Sequence, residues 1–151
     1  DKLKLNIEGN KITYNDIAKH IGVSKDFNVW ELQSAIGAKD YYKIELIRKY
    51  FAANPKASPL VVTISVLFGF FTNLMLAHYC QDKSVNGLMD KLRLSYPAAK
   101  DMTVALKNYS AWKTMENISV LREYDAKCKG ARSVSLSDSE ALKEMLYNMI
   151  Y

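Results

Sequence analysis

The sequence predicts an all-α protein, a helical bundle of about six to eight helices. Three observations carry that prediction. Nearly every long segment spaces its apolar residues three and four apart, and few alternate as strands do. Helix-starting side chains stand just ahead of those segments: Asp40, Ser58, Ser95, Ser110 and Ser137. Breakers follow them at Gly22, Gly37, Pro55 and Gly130.

Taken in order, DKLKLNIEG alternates at Leu3, Leu5 and Ile7 and reads as a short extended piece ended by Gly9-Asn10. A helix then starts at Thr13, with Asp16 three residues on as a variant capping box, and stops at Gly22. The next covers about 28–36 and is closed by Gly37. Asp40 caps a helix that reaches about residue 54, with Ile44, Ile47 and Phe51 inward and Pro55 preventing its continuation. Residues 57–81, ASPLVVTISVLFGFFTNLMLAHYCQ, hold no charge. Ser58-Pro59 reads as a capping serine with proline at the first helical position. Leu60, Ile64, Leu67, Phe68, Phe71, Leu74 and Met75 make one broad apolar arc. Ser65, Gly69, Thr72 and Asn73 make a small, weakly polar face that suits close approach of another helix. The run is long enough for a bilayer, yet it carries Thr63, Ser65, Thr72, Asn73 and His78 beside water-facing helices. It is therefore expected to be the central core helix, with no membrane partner.

A short helix follows near 85–92, then one opened by Ser95-Tyr96-Pro97 and ending near residue 108. Ser110 caps a long helix that Gly130 stops. ARSVSLSD is turn-rich, and S-D-S-E at 137–140 is a full capping box. Behind it Leu142, Met145, Leu146, Met149 and Ile150 form the cleanest amphipathic stripe in the chain.

The chemistry-bearing residues are sparse. The net charge of +5 permits an acidic partner without requiring one. Cys80 and Cys128 form no disulfide framework and fit a reduced, cytoplasmic setting. The first residue is Asp1, which fits excision from a longer chain. His20 and His78 lie far apart and no Cys or His pair has ligand spacing, so neither metal nor cofactor is expected. His78 reads as a satisfied core histidine. No phosphate loop and no nucleophile elbow is present. Asp125 falls on an apparent inward stripe with Ile118, Leu121 and Cys128, where a carboxylate needs a partner. A perturbed acid in a site is one reading; the favoured one is structural, a tie to Lys129 one turn on, to a tyrosine hydroxyl or to a nearby helix N-terminus, and on it Asp125→Ala destabilises the fold more than Asp125→Leu. DIAKHIGVS at 16–24 has the Ala-Gly spacing of a helix-turn-helix, the alternative function being a DNA-binding regulator fragment. The helix after it carries no Lys or Arg to read DNA. Tyr41, Tyr42, Tyr109 and Trp112 suit base stacking or, more commonly, core and interface anchoring.

The order of these features resembles a known family. DFNVWELQSAIG at 26–37 is similar to a segment built on F-x-L-x-x-A, here Val29/Trp30, Leu32 and Ala35. YPAAK at 96–100 is similar to the family's proline-started helix. NYS at 108–110 precedes LREYDAKCKG at 121–130, which fits L-x-x-x-D-x-x-x-K-G through Leu121, Asp125, Lys129 and Gly130. The chain thus resembles the C-terminal part of delta subunits of the bacterial DNA polymerase III clamp loader. DFNVWELQSAIG and YFAANP are particularly similar to those of the Bacteroidetes type.

The resemblance implies residues 1–23 as the helical end of a middle, lid-like domain and 24–151 as a C-terminal collar domain. It implies a non-catalytic oligomerisation module without ATPase chemistry of its own. Its partners would be the ATPase and delta-prime subunits through the collar, the sliding clamp through an N-terminal domain outside this sequence, and primed DNA in the full complex. Leu121, Asp125, Lys129 and Gly130 would be structural: a packing leucine, a paired carboxylate with its lysine, and a helix-stop glycine.

Overall fold

The computed structural model describes residues 26–130 and 136–151. Those residues form helices and no strand: α1 (Val29–Ala38), α2 (Tyr41–Ala53), α3 (Leu60–Tyr79), α4 (Val85–Leu92), α5 (Tyr96–Asn108), α6 (Ala111–Cys128) and α7 (Asp138–Ile150). The expected pieces at 1–24, including the Thr13 helix, His20 and the first half of the helix-turn-helix, lie outside the described residues. So does most of the loop at 131–138.

The starts are set by side chains that accept hydrogen bonds from otherwise unpaired helix N–H groups. Asn28, Asp40, Ser84 and Ser110 each take one, from Glu31, Lys43, Gly87 and Lys113. Ser137 and Glu140 close the capping box reciprocally, with Glu140 Oε2 accepting from the Ser137 N–H at 3.0 Å. The start of α3 differs from expectation. Pro59 is its cap and no side chain bonds there. Ser58 is buried instead, its hydroxyl 2.8 Å from that of Thr63. The helix ends at Tyr79, where Cys80 turns extended.

α1 also ends differently. Gly37 does not stop it; the stop is Lys39, in the left-handed region at φ 52°, whose N–H reaches Ala35 and Ile36. Gly37 sits inside the helix because a Cβ there would come 3.0 Å from Phe70 Cζ. Two side chains from the end of α5 finish the cap. Asn108 Nδ2 donates to Gly37 O at 2.9 Å and the Tyr109 hydroxyl to Ile36 O at 2.8 Å. Carbonyls left open by the helix end are thus met from across the fold.

One core runs through the bundle, from Phe27 and Leu32 to Met149 and Ile150. α3 packs against α1, α4, α5 and, most extensively, α6; α6 in turn packs on α7, and α7 on α2. Among the described residues α3 is the helix long and apolar enough to cross a membrane, but 44% of its most apolar window is buried against protein. Its buried face is Leu60, Thr63, Ile64, Leu67, Phe70, Phe71, Leu74 and Ala77. That is a correction to the expected arc: Phe68 is 37% exposed and Met75 half-buried. The small face of Ser65, Gly69 and Thr72 is also not a helix seam. It faces outward, and a Cβ on Gly69 would meet nothing within 4 Å.

Candidate interaction site

An apolar groove of about 520 Å³ lies between α2 and α7. Its floor is apolar: Ile44 from α2, Leu146 and Ile150 from α7. Both helices put these residues at helical spacing on their inner faces. Tyrosines wall one end. Tyr41 stacks on Tyr151 with centroids 5.8 Å apart and planes 11° apart, and Tyr147 lies 5.1 Å from Tyr151. Charges form the rim. Arg48 Nε and Nη2 each donate to one Glu45 oxygen at 2.7 Å, a forked pair. Those hydrogen bonds hold the Glu45 carboxyl below its usual range against the opposing effect of partial burial, and raise Arg48 further. Glu140, Lys143 and Glu144 line the α7 side. An apolar floor with aromatic walls and a paired rim suits anchoring a partner's side chain. The groove presents no nucleophile beside a base.

The sequence motif maps elsewhere, to the seam of α3 and α6. Leu121 is fully buried there. Asp125 Oδ2 accepts from Lys129 Nζ at 2.6 Å, one of the partners expected. The pair is not inward, however. Asp125 is 37% and Lys129 68% exposed at the side chain, and Cys128 is exposed as well. The inward stripe of α6 is Thr114, Asn117, Leu121 and Tyr124. Helical phase explains the correction, since Ile118–Asp125–Cys128 lies at the edge of that stripe. Gly130 follows the helix at φ +80°, a left-handed stop that glycine adopts without strain. Asp125 and Lys129 line an open groove of about 460 Å³ with Ser65, Phe68 and Arg122.

The remaining candidates separate. His78 is half-buried at the end of α3, and its Nε2 has no hydrogen-bond partner, so it is not the satisfied core histidine expected. Desolvation lowers its pKa, against an opposing hydrogen bond to the Tyr109 backbone. Burial, then Asp138 and Asp125, push the Cys128 thiol up, away from activation. Tyr109 is core, its phenol raised by burial. Tyr42 and Trp112 are exposed, Trp112 Nε1 donating to Glu116 at 3.0 Å. Among the described residues no three His, Cys, Asp or Glu side chains gather as a metal site.

Sequence reasoning missed the groove. The i, i+3 spacing of Glu45 and Arg48 and the i, i+4 spacing of Tyr147 and Tyr151 were available signals; the pairing of Tyr41 with Tyr151 is tertiary and had none. Asn117 was missed too: it is fully buried, and neither amide atom bonds to protein. No family model, curated protein or solved structure matches this chain.

Proposed function

We propose that this chain is a non-catalytic assembly module, the collar domain of a bacterial clamp-loader delta subunit working in the cytoplasm. The observation that carries the reading is the tyrosine-walled groove between α2 and α7, an anchor site without catalytic equipment on a helical bundle with one continuous core. The order of motifs from DFNVWELQSAIG to LREYDAKCKG supports the family. The ATPase and delta-prime subunits are the partners this predicts for the collar. The sliding clamp would be met by an N-terminal domain outside this sequence, and primed DNA in the full complex. The regulator alternative is weaker. Its recognition helix would be α1, which has no Lys or Arg and packs against α2, α3 and α5.

Light scattering on a size-exclusion column tests this, with the chain alone and then mixed with the C-terminal domains of the ATPase and delta-prime subunits from the same source. Co-elution at the mass of a mixed oligomer is expected, weakened by Tyr147→Ala in the groove. Partners that assemble without this chain would sink the collar reading. Duplex DNA binding with a steep salt slope would replace it with the regulator reading.

A further inference from the structure

α3 meets solvent along one face, and that face bears no charge. Its exposed residues fall within an arc of about 120° at 100° per residue. Val61 and Val62 stand at one end, Leu76 and Tyr79 at the other, and all are half to three-quarters exposed. Between them lie Ser65, Gly69 and Thr72, with Phe68 at the edge. Exposed stripes on helices of water-facing bundles normally carry charge, and α2, α6 and α7 do so here through Glu45, Arg122 and Glu144.

We propose that this face is the contact of a two-fold homodimer, in which α3 crosses α3 of a second copy antiparallel at Gly69. Gly69 stands at the middle of the helix Leu60–Tyr79. Val62 precedes it by the same interval at which Leu76 follows, and Ser65 and Thr72 flank it nearly as evenly. The face therefore reads large, small, large in either direction, the self-complementarity an isologous contact requires. Closest approach of two helices needs small side chains at the crossing, and the space above Gly69 is open. The stripe itself is uncharged, and charges of both signs flank it, Arg122, Asp125 and Lys129 along one groove and Asp82, Asp90 and Lys91 along the other, so a second copy meets it without one-signed repulsion. The apolar side chains offer on the order of 500 Å², at the upper end for a monomer's patch. Grooves on either side, one at Ser65 and Phe68 and one at Leu76 and Tyr79, extend the footprint toward the roughly 800 Å² per partner of a standard interface. This inference concerns the chain alone and goes beyond the collar reading; its failure would leave the mixed-oligomer test unaffected.

Sedimentation equilibrium of the 151-residue chain tests it. A concentration-dependent dimer is expected. Gly69→Arg and, independently, Leu76→Glu should weaken it at least about ten-fold with unchanged helical circular dichroism. In a Cys80→Ser, Cys128→Ser background, Gly69→Cys should cross-link on oxidation. Val61→Cys should not, because antiparallel crossing holds the two copies of that position about 24 Å apart. A chain that stays monomeric at high micromolar concentration overturns the proposal. So does a dimer indifferent to Gly69→Arg, or cross-linking at position 61 in place of 69. Monomers that co-sediment with neutral phosphatidylcholine vesicles would also overturn it and assign the face to lipid.

Discussion

α3 and α7 turn equally apolar faces into one core and opposite faces to water. Inside, α7 sets Leu142, Met145, Leu146, Met149 and Ile150, and outside it carries Glu140, Lys143 and Glu144. α3 sets Leu67, Phe70, Phe71 and Leu74 inside, and outside it carries valines, a leucine, a tyrosine and small residues. α7 has a capping box and packs chiefly on α2 and α6, whereas α3 has no side-chain cap and packs on four helices. The inner faces answer to the same demand of burial. The outer faces differ in charge: α7's carries Glu140, Lys143 and Glu144 beside the exposed Tyr147, whereas α3's carries none.

The largest expected effects lie on the inner faces and should sharpen the comparison by being alike. Leu67→Ala in α3 and Met145→Ala in α7 each empty a site with no solvent exposure. Each should cost about 2–5 kcal/mol in urea unfolding. A Leu67→Ala cost under about 1 kcal/mol would mean that α3 is not the strut its packing indicates.

The same contrast decides what the sequence could disclose. α7 was legible in full, with cap, box and stripe, because charged residues mark where its apolar face ends. The existence of α3 was equally legible, since no other element suits so long an uncharged run. Its orientation was not: where every side of a helix is apolar, periodicity has no contrast to choose a face. Phe68 and Met75 were therefore placed inward, while Thr63 and Ala77 hold that ground. The motif at Leu121, Asp125, Lys129 and Gly130 was readable as a local ion pair and a helix stop. Its depth depended on helical phase against α3. The tyrosine groove depended on α2 meeting α7, a contact remote in sequence.

Asn117 tests the helix that lies between the two. Its amide is buried on α6 without a protein hydrogen bond, which ordinarily costs about 1–3 kcal/mol. Asn117→Leu, of similar volume, should raise stability by about 1 kcal/mol in urea unfolding. A loss of that size would show that the amide is satisfied in solution and fixes the seam.

His78 gives the end of α3 a pH dependence of its own. Its lowered pKa means that the folded chain favours the neutral ring, so protonation favours unfolding. Stability should fall as pH drops below about 6.5, the value of a free imidazole. Melting temperatures from about pH 7.5 to 5.5 should decline more steeply in the wild type than in His78→Gln. Equal slopes would remove His78 from the account.

The smallest effect is expected beside α3's bare face. Asp125 and Lys129 form an i, i+4 pair that solvent reaches, and such pairs contribute about 0.5 kcal/mol or less. Asp125→Ala should therefore change dilute-solution stability by no more than that, and added salt should shrink the change further. Removing one member of a buried pair costs about 3–5 kcal/mol by comparison. The pair lines the groove that Ser65 and Phe68 of α3 share, so anything seated on α3 comes close to it. A loss that grows with protein concentration would mark the pair as covered by a second copy. A large loss even at high dilution would instead place Asp125 deeper than its exposure indicates and return it to the inward stripe.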